Sequence, residues 1–75
     1  MSPMGYTGGD RLANCLRELR SARGLTQAGL AEAVSVSRKT VNTVENGVFI
    51  PSTLLALKLA RALECTVEAI FSLED

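Results

Sequence analysis

Apolar residues recur along this chain at the spacing of one helix face, and short polar or glycine-containing connections separate them. Four of them, between Leu12 and Leu19, share one side of a helical projection, which predicts a first helix over about residues 10–23. Asp10 is the candidate N-cap of this helix, and Gly24 lies just past its end, where glycine commonly terminates helices.

The next two helices are each preceded by a hydroxyl side chain, which can accept a hydrogen bond from an unpaired backbone N–H. Thr26 caps the second helix, which is predicted over about residues 27–33. Ser37 begins the third, over about residues 38–45, and Gly47 follows its end.

The remaining chain predicts two more helices. Ser52 caps a fourth over about residues 53–63, and Thr66 caps a short fifth. The apolar side of the fifth helix consists of Val67, Ile70 and Phe71. Short connections between five helices indicate one compact all-α domain over residues 10–75. Residues 1–9 contain three glycines and a proline without periodicity, so we expect a flexible N-terminal arm there.

Composition agrees with a single helical domain and also indicates the cellular compartment of the protein. The 75 residues suffice for a single core, and that core must be aliphatic because only 4% of the residues are aromatic. No apolar run approaches the roughly 20 residues that span a bilayer, and the first residues lack the pattern of a secretory signal. We therefore expect a cytoplasmic protein.

The residue types argue against an enzyme or a metalloprotein. The chain contains no histidine, which removes the commonest general base and most zinc sites. It also lacks a phosphate-binding loop, so we expect no cofactor and no metal. Cys15 and Cys65 both lie in apolar surroundings and are interpreted as small core residues, with redox sensing or a crosslink as the alternatives.

Charge is distributed unevenly although the chain is neutral overall. Residues 11–39 carry six cationic and two acidic side chains, whereas residues 40–75 carry two cationic and five acidic ones. A small domain divided in this way can present one basic face to a polyanion.

The stretch TQAGLAEAVSVSRKTVNTVENG, from Thr26 to Gly47, resembles the Cro and phage-repressor (xenobiotic-response-element) class of helix-turn-helix regulators. The resemblance continues through IPSTLLALKLARALECTVEAIF and covers about residues 12–71. It implies a lambda-repressor-like fold of the short, single-domain type. Ala31 fits physically, because two helices that cross closely need a small side chain. Ser35 departs from the family, which most often has glycine there with a positive φ.

The second helix of such a motif enters the major groove of DNA, and its first residues reach the base edges. On a helix that starts at Ser37, four residues face away from the apolar side: Arg38, Lys39, Asn42 and Thr43. Arginine commonly pairs with guanine, and asparagine can pair with adenine. Arg38 and Lys39 lie at the N-terminal end of the helix, where the helix dipole makes positive charges mildly unfavourable for stability. Their presence there favours a role in binding over a role in folding.

Further residues are candidates for contacts with the DNA backbone: Gln27, Ser37, Thr40, Asn46, Arg17 and Arg23. For the two arginines, an ordinary solvated surface role is an equally good interpretation. The resemblance implies that Gln27 also holds the neighbouring base-reading side chains. It further implies that Arg20 bridges to Glu45 and fixes the third helix against the first.

Surplus apolar residues predict a dimer interface formed by Leu54, Leu57, Val67 and Phe71. The sequence thus predicts a homodimeric transcriptional regulator that binds double-stranded DNA at an inverted repeat and represses by occlusion. Two alternatives stay open. One is an antitoxin that also binds a protein toxin, and the other is a protein-interaction module that has lost DNA binding.

Overall fold

Five helices and one two-stranded sheet make up residues 11–74, the part of the chain that this computed structural model describes. The elements in chain order are β1 (Arg11–Asn14), α1 (Leu16–Ala22), α2 (Gln27–Val34), α3 (Arg38–Glu45), α4 (Thr53–Leu63), α5 (Val67–Ile70) and β2 (Phe71–Glu74). The predicted five-helix, lambda-repressor-like fold is confirmed, with the small sheet as an addition to it.

The start of the first helix was predicted wrongly. Helix α1 begins at Leu16, and residues 11–14 instead form β1, which pairs antiparallel with β2. Leu12 lies opposite Leu73 in this sheet. The partner strand lies at the other end of the chain, so the local apolar spacing could not reveal the pairing. The predicted N-cap Asp10 and the predicted arm over residues 1–9 lie outside the described residues.

Side-chain caps start the other helices where the sequence predicts them. The hydroxyls of Thr26, Ser37, Ser52 and Thr66 each accept a hydrogen bond from the backbone N–H three residues further on. Each such cap is typically worth about 1 kcal/mol. Helix α1 is started differently, because Asn14 Oδ1 accepts from the backbone N–H of Leu16 over 3.0 Å.

The core is centred on α2, α3 and α4, with further residues from α1, α5 and β2, and it is almost entirely aliphatic. Among residues 11–74, the twelve buried hydrophobic residues are Leu16, Leu30, Ala31, Val34, Val41, Val44, Leu55, Leu59, Ala60, Leu63, Ile70 and Phe71. Ala31 is 3% exposed and lies in the α2–α3 pair, as the need for a small residue at that crossing predicts. Val41 and Val44 fix one side of α3 in this core, so its opposite side is left for other contacts.

The turn between α2 and α3 contains a residue in the left-handed region. Ser35 has φ 61° and ψ 45°, at the position where the family most often has glycine. An L-residue in this region is strained by about 1–2 kcal/mol relative to its usual conformations. The expected positive φ at this position is therefore present, and the chain accommodates it with a serine.

The two cysteines are free thiols that are each partly buried. Cys15 Sγ donates to the carbonyl oxygen of Ala69 over 3.0 Å, which joins the start of α1 to α5. Across residues 11–74, none of the helices has the length and apolar character needed to cross a membrane.

Candidate nucleic-acid interface

Helix α3 has one side in the core and one side outside it. Arg38 and Lys39 are exposed at its first turn, and Asn42 and Thr43 are half-buried one turn later. We call these four residues the reading edge. The spacing of Val41 and Val44, which are 2% and 1% exposed, fixes which way this edge faces.

Gln27, the first residue of α2, connects two members of the reading edge. Its side-chain oxygen accepts from Arg38 Nη1 over 3.2 Å. Its amide nitrogen donates to Asn42 Oδ1 over 3.1 Å and to Glu45 Oε1 over 2.9 Å. One glutamine therefore holds both the long cationic side chain and the amide of α3 in defined positions.

Glu45 ends α3, and its side chain is wholly buried under polar donors. Arg20 Nε lies 2.6 Å from Glu45 Oε2, and the Arg20 side chain is 13% exposed. Arg20 Nη1 also donates to the carbonyl oxygen of Leu25 over 2.7 Å, so the guanidinium links α1, the α1–α2 turn and α3.

The pKa of Glu45 reflects this environment. Burial alone raises the pKa of this carboxyl group. Hydrogen bonds from Arg20 and Gln27 and the positive charge of Arg20 act in the opposite direction, with a smaller contribution from Arg17. Together they outweigh burial and hold the pKa below its ordinary value, so Glu45 is ionised at neutral pH.

Asn46 and Arg17 extend the same network towards solvent. Arg17 Nη2 donates to Asn46 Oδ1 over 3.3 Å, and Asn46 Nδ2 donates to Asn42 Oδ1 over 3.2 Å. Arg17 Nε also approaches Glu45 Oε1, at 3.5 Å. The structure thus brings Arg17 and Asn46, both candidates for backbone contacts, next to the reading edge.

The remaining candidates for contacts with the DNA backbone lie in two separate places. Ser37 and Thr40 lie together at the start of α3, with their hydroxyl oxygens 3.0 Å apart. Arg23 lies elsewhere, because its Nη2 is 3.0 Å from Glu64 Oε2 at the end of α4. The structure does not join Arg23 to the cluster around α3.

The predicted dimer residues differ in exposure. Leu54 and Leu57 are 67% and 56% exposed on α4, and Val67 is half-buried. Phe71 is 8% exposed and belongs to the core, so its inclusion in an exposed patch was wrong. The residue leaves the helical spacing at the start of β2, which turns its ring inward.

Two residues were missed from the sequence, Ile50 near α4 and Asn14 near the end of α3. Ile50 is 69% exposed and lines a shallow apolar groove together with Leu57 and Val67, with Phe71 also lining it. The apolar run Val48–Ile50 in a connection was the available signal. Asn14 was also missed: its Nδ2 donates to the carbonyl oxygen of Val44 over 3.0 Å and so fixes the end of α3, a contact that no local pattern indicates.

Within residues 11–74, no three Cys, Asp or Glu side chains come together in a group that could hold a metal ion. The polar cluster around α3 consists of amides, hydroxyls and guanidinium groups, with one carboxylate at its centre. Such a surface can donate hydrogen bonds to base edges and to phosphate oxygens.

Curated proteins with similar sequences are described as transcriptional regulators of the helix-turn-helix type. A curated relative from Bacillus subtilis (strain 168), an uncharacterized HTH-type transcriptional regulator named YgzD, is 42% identical over 64 residues, which is 85% of this chain and 97% of that protein. An uncharacterized HTH-type transcriptional regulator from Methanothermobacter thermautotrophicus is 46% identical over 61 residues, covering 80% of this chain and 88% of the relative.

Solved structures show the same fold. The restriction-modification controller protein C.AhdI from Aeromonas hydrophila matches with a TM-score of 0.69 and 42% identity, covering 72% of this chain and 82% of that one. The clp gene regulator ClgR from Corynebacterium glutamicum matches with a TM-score of 0.67 and 35% identity, covering 69% of this chain and 55% of that one. Residues 16–70 match the helix-turn-helix family model HTH_3, and the chain belongs to this helix-turn-helix family.

Proposed function

We propose that this protein is a cytoplasmic, sequence-specific DNA-binding regulator of transcription, which binds an inverted repeat as a homodimer and represses by occlusion. The observation that carries the proposal is the geometry of α3. Its apolar side is fixed in the core by Val41 and Val44, while Arg38 and Lys39 are exposed on its first turn. This is the arrangement with which a helix-turn-helix protein reads the major groove.

Preorganisation of the reading edge supports the same function. Arg38 is held by Gln27, and Asn42 is held by Gln27 and Asn46. Side chains ordered in advance lose less conformational entropy on binding, which raises affinity for a matching site. The relatives point in the same direction, since those from Bacillus subtilis and Methanothermobacter thermautotrophicus are described as transcriptional regulators.

The homodimer is supported by the apolar surface around α4. Leu54, Leu57 and Ile50 are each more than half exposed, and the last two line the groove next to Val67. Exposed apolar side chains that lie next to one another, as Ile50 and Leu57 do in this groove, often mark a protein interface. A two-fold dimer would place two α3 helices about 34 Å apart, one turn of DNA, and would therefore require an inverted repeat.

Selection of bound duplexes from a random library tests the proposal directly, followed by gel-shift titration of the selected site at several salt concentrations. We expect two half-sites about one helical turn apart, and affinity that falls steeply as salt rises, because phosphate neutralisation releases counterions. Failure to enrich any sequence, together with binding that does not respond to salt, would show that the chain is a protein-interaction module instead.

A further inference from the structure

We propose that Asn42 reads its base through its amide nitrogen alone and therefore selects a hydrogen-bond acceptor, guanine in first place, instead of pairing with adenine. This inference rests on the proposed DNA-binding function and specifies the chemistry that the reading edge recognises. It follows from the contacts of three neighbouring amides, because charged groups orient Gln27 and Asn46, and these two in turn orient Asn42.

The orientation of Gln27 is determined by its two charged neighbours. Arg38 has only donors, and it contacts the side-chain oxygen of Gln27 at 3.2 Å. The Glu45 carboxylate has only acceptors, and it contacts Gln27 Nε2 at 2.9 Å. A flipped amide would oppose donor to donor and acceptor to acceptor. Gln27 must therefore present Nε2 to Asn42, where it contacts Oδ1 at 3.1 Å.

Asn46 is oriented in the same way by a different charge. Arg17 Nη2 donates to Asn46 Oδ1 over 3.3 Å, which requires the oxygen on that side. Asn46 Nδ2 is then directed to Asn42 Oδ1, at 3.2 Å. Two independent donors, one from α2 and one from the end of α3, therefore converge on one oxygen atom.

The consequence concerns what Asn42 has left for a ligand. A carbonyl oxygen has two lone pairs, and both of those on Asn42 Oδ1 are used by Gln27 and Asn46. Asn42 Nδ2, in contrast, donates to no group within residues 11–74. Rotation of the amide by 180° would exchange the two ends only by breaking both existing hydrogen bonds. The residue is therefore a donor with its acceptor already occupied.

This state changes the base that Asn42 fits. Pairing of asparagine with adenine requires an oxygen that accepts from the N6 amino group and a nitrogen that donates to N7. Asn42 Oδ1 is not free to accept from N6, because it already accepts from Gln27 and Asn46. In the major groove, guanine presents two neighbouring acceptors, N7 and O6, and no donor, thymine presents one acceptor, O4, beside its methyl group, and cytosine presents its N4 donor. Both hydrogens of the amide nitrogen therefore find acceptors only on guanine. Guanine satisfies the Asn42 nitrogen without leaving an unpaired amino group against it.

Arg38 strengthens the preference at the neighbouring position. Its Nη1 is directed to Gln27, which leaves its other nitrogens as donors one helical turn from Asn42. Both side chains would then seek acceptors on the same side of α3. Thr43 differs, because its hydroxyl donates to the carbonyl oxygen of Thr40 over 2.9 Å and so retains acceptor capacity and a methyl group.

The test uses the isosteric variant Asn42→Asp. One carboxylate oxygen can keep accepting from Gln27 and Asn46, while the other replaces the free donor with an acceptor. Duplexes are selected from the same random library with the wild type and with this variant. We expect one position in each half-site to change from guanine to a base with an amino group, cytosine or adenine. For the wild type, adenine or 7-deazaguanine in place of that guanine should lower affinity by about 2- to 12-fold, the effect of losing one hydrogen bond.

Two controls separate this effect from general ones. Ser72→Asp adds the same charge at an exposed site in β2 and should leave the selected sequence unchanged. Asn42→Ala removes donor and acceptor together and should relax that position without switching it. The proposal is overturned if the wild type selects adenine there and loses affinity when that base lacks its N6 amino group. It is also overturned if Asn42→Asp keeps the wild-type preference. A protein that enriches no sequence at all would instead overturn the DNA-binding function itself.

Discussion

Arg20 Nε and Glu45 Oε2 lie 2.6 Å apart, and this contact joins α1 to the last residue of α3. Neither side chain has much access to solvent, since they are 13% and 0% exposed. The pair also orders the reading edge, because the same carboxylate accepts from Gln27, which in turn holds Arg38. A structural ion pair and the proposed base contacts thus belong to one network.

Removal of Arg20 should destabilise the fold strongly. We expect Arg20→Met to lower the free energy of unfolding by about 3 kcal/mol, because it leaves the Glu45 carboxylate buried without its main cation. The loss stays at the lower end of the range for buried pairs because Gln27 and Arg17 still donate. Urea denaturation measures the change. Arg17→Met, at a side chain that is 58% exposed, is the matched control and should cost less than 1 kcal/mol. Equal losses in the two variants would contradict this account.

The lowered pKa of Glu45 predicts a defined loss of stability in acid. A carboxyl whose pKa is lower in the folded than in the unfolded chain adds stability above the unfolded-state pKa, about 4.3. That stability disappears as the pH falls from there through the lower folded-state pKa. We expect Glu45→Gln to be less stable than the wild type at neutral pH and to approach it in strong acid. Urea midpoints between about pH 2 and pH 7 measure this convergence. A constant difference across that range would show that the charge of Glu45 is irrelevant.

Arg38 should contribute specificity as well as affinity. We expect Arg38→Ala to weaken binding to the selected site by about 1–3 kcal/mol and to relax the preference at one base pair. Competition titrations with the selected and with scrambled duplexes separate the two effects. Arg23→Ala, which removes an arginine paired with Glu64 away from α3, should leave the base preference intact. If Arg38→Ala weakens all duplexes equally, Arg38 contacts only phosphate.

The exposed surface of α4 should determine the oligomeric state. We expect Leu57→Glu to raise the dimer dissociation constant by about ten-fold or more, because a buried leucine contributes about 1.5–3 kcal/mol. Analytical ultracentrifugation over a concentration series measures this constant. Ala22→Glu places the same charge at an exposed position on α1 and should leave it unchanged. A wild type that stays monomeric at every concentration would refute the dimer.

The left-handed Ser35 offers a stabilising substitution. Glycine adopts a φ of 61° without the steric strain that a Cβ introduces. We expect Ser35→Gly to raise the free energy of unfolding by up to about 1 kcal/mol, the strain being partly offset by the greater freedom of glycine in the unfolded chain. Ser21→Gly, at an exposed position in the last turn of α1, should have the opposite effect, because glycine is a poorer helix former than serine. Thermal or urea unfolding distinguishes the two, and a destabilised Ser35→Gly would show that the turn carries no strain.

The sequence by itself determined the helices from α2 to α5 and the side of α3 that faces the core. Their signals are local, since a cap such as Ser37 acts within three residues and apolar spacing acts within one or two turns. The same local rules placed Arg38 and Asn42 on the outer side. The positive φ of Ser35 was expected from the family resemblance and not from these local rules.

Only the tertiary structure decided the features that depend on distant partners. The strand pairing of Leu12 with Leu73 converts the expected first turns of helix into β1, and the start of β2 turns Phe71 into the core. The donor-only state of Asn42 also arises in this way, because its oxygen is occupied by Gln27 from another helix, and Gln27 is oriented by Glu45 and Arg38. Hydrogen-bond capacity is a property of residue type, but what remains available for DNA depends on which neighbours the fold has already supplied.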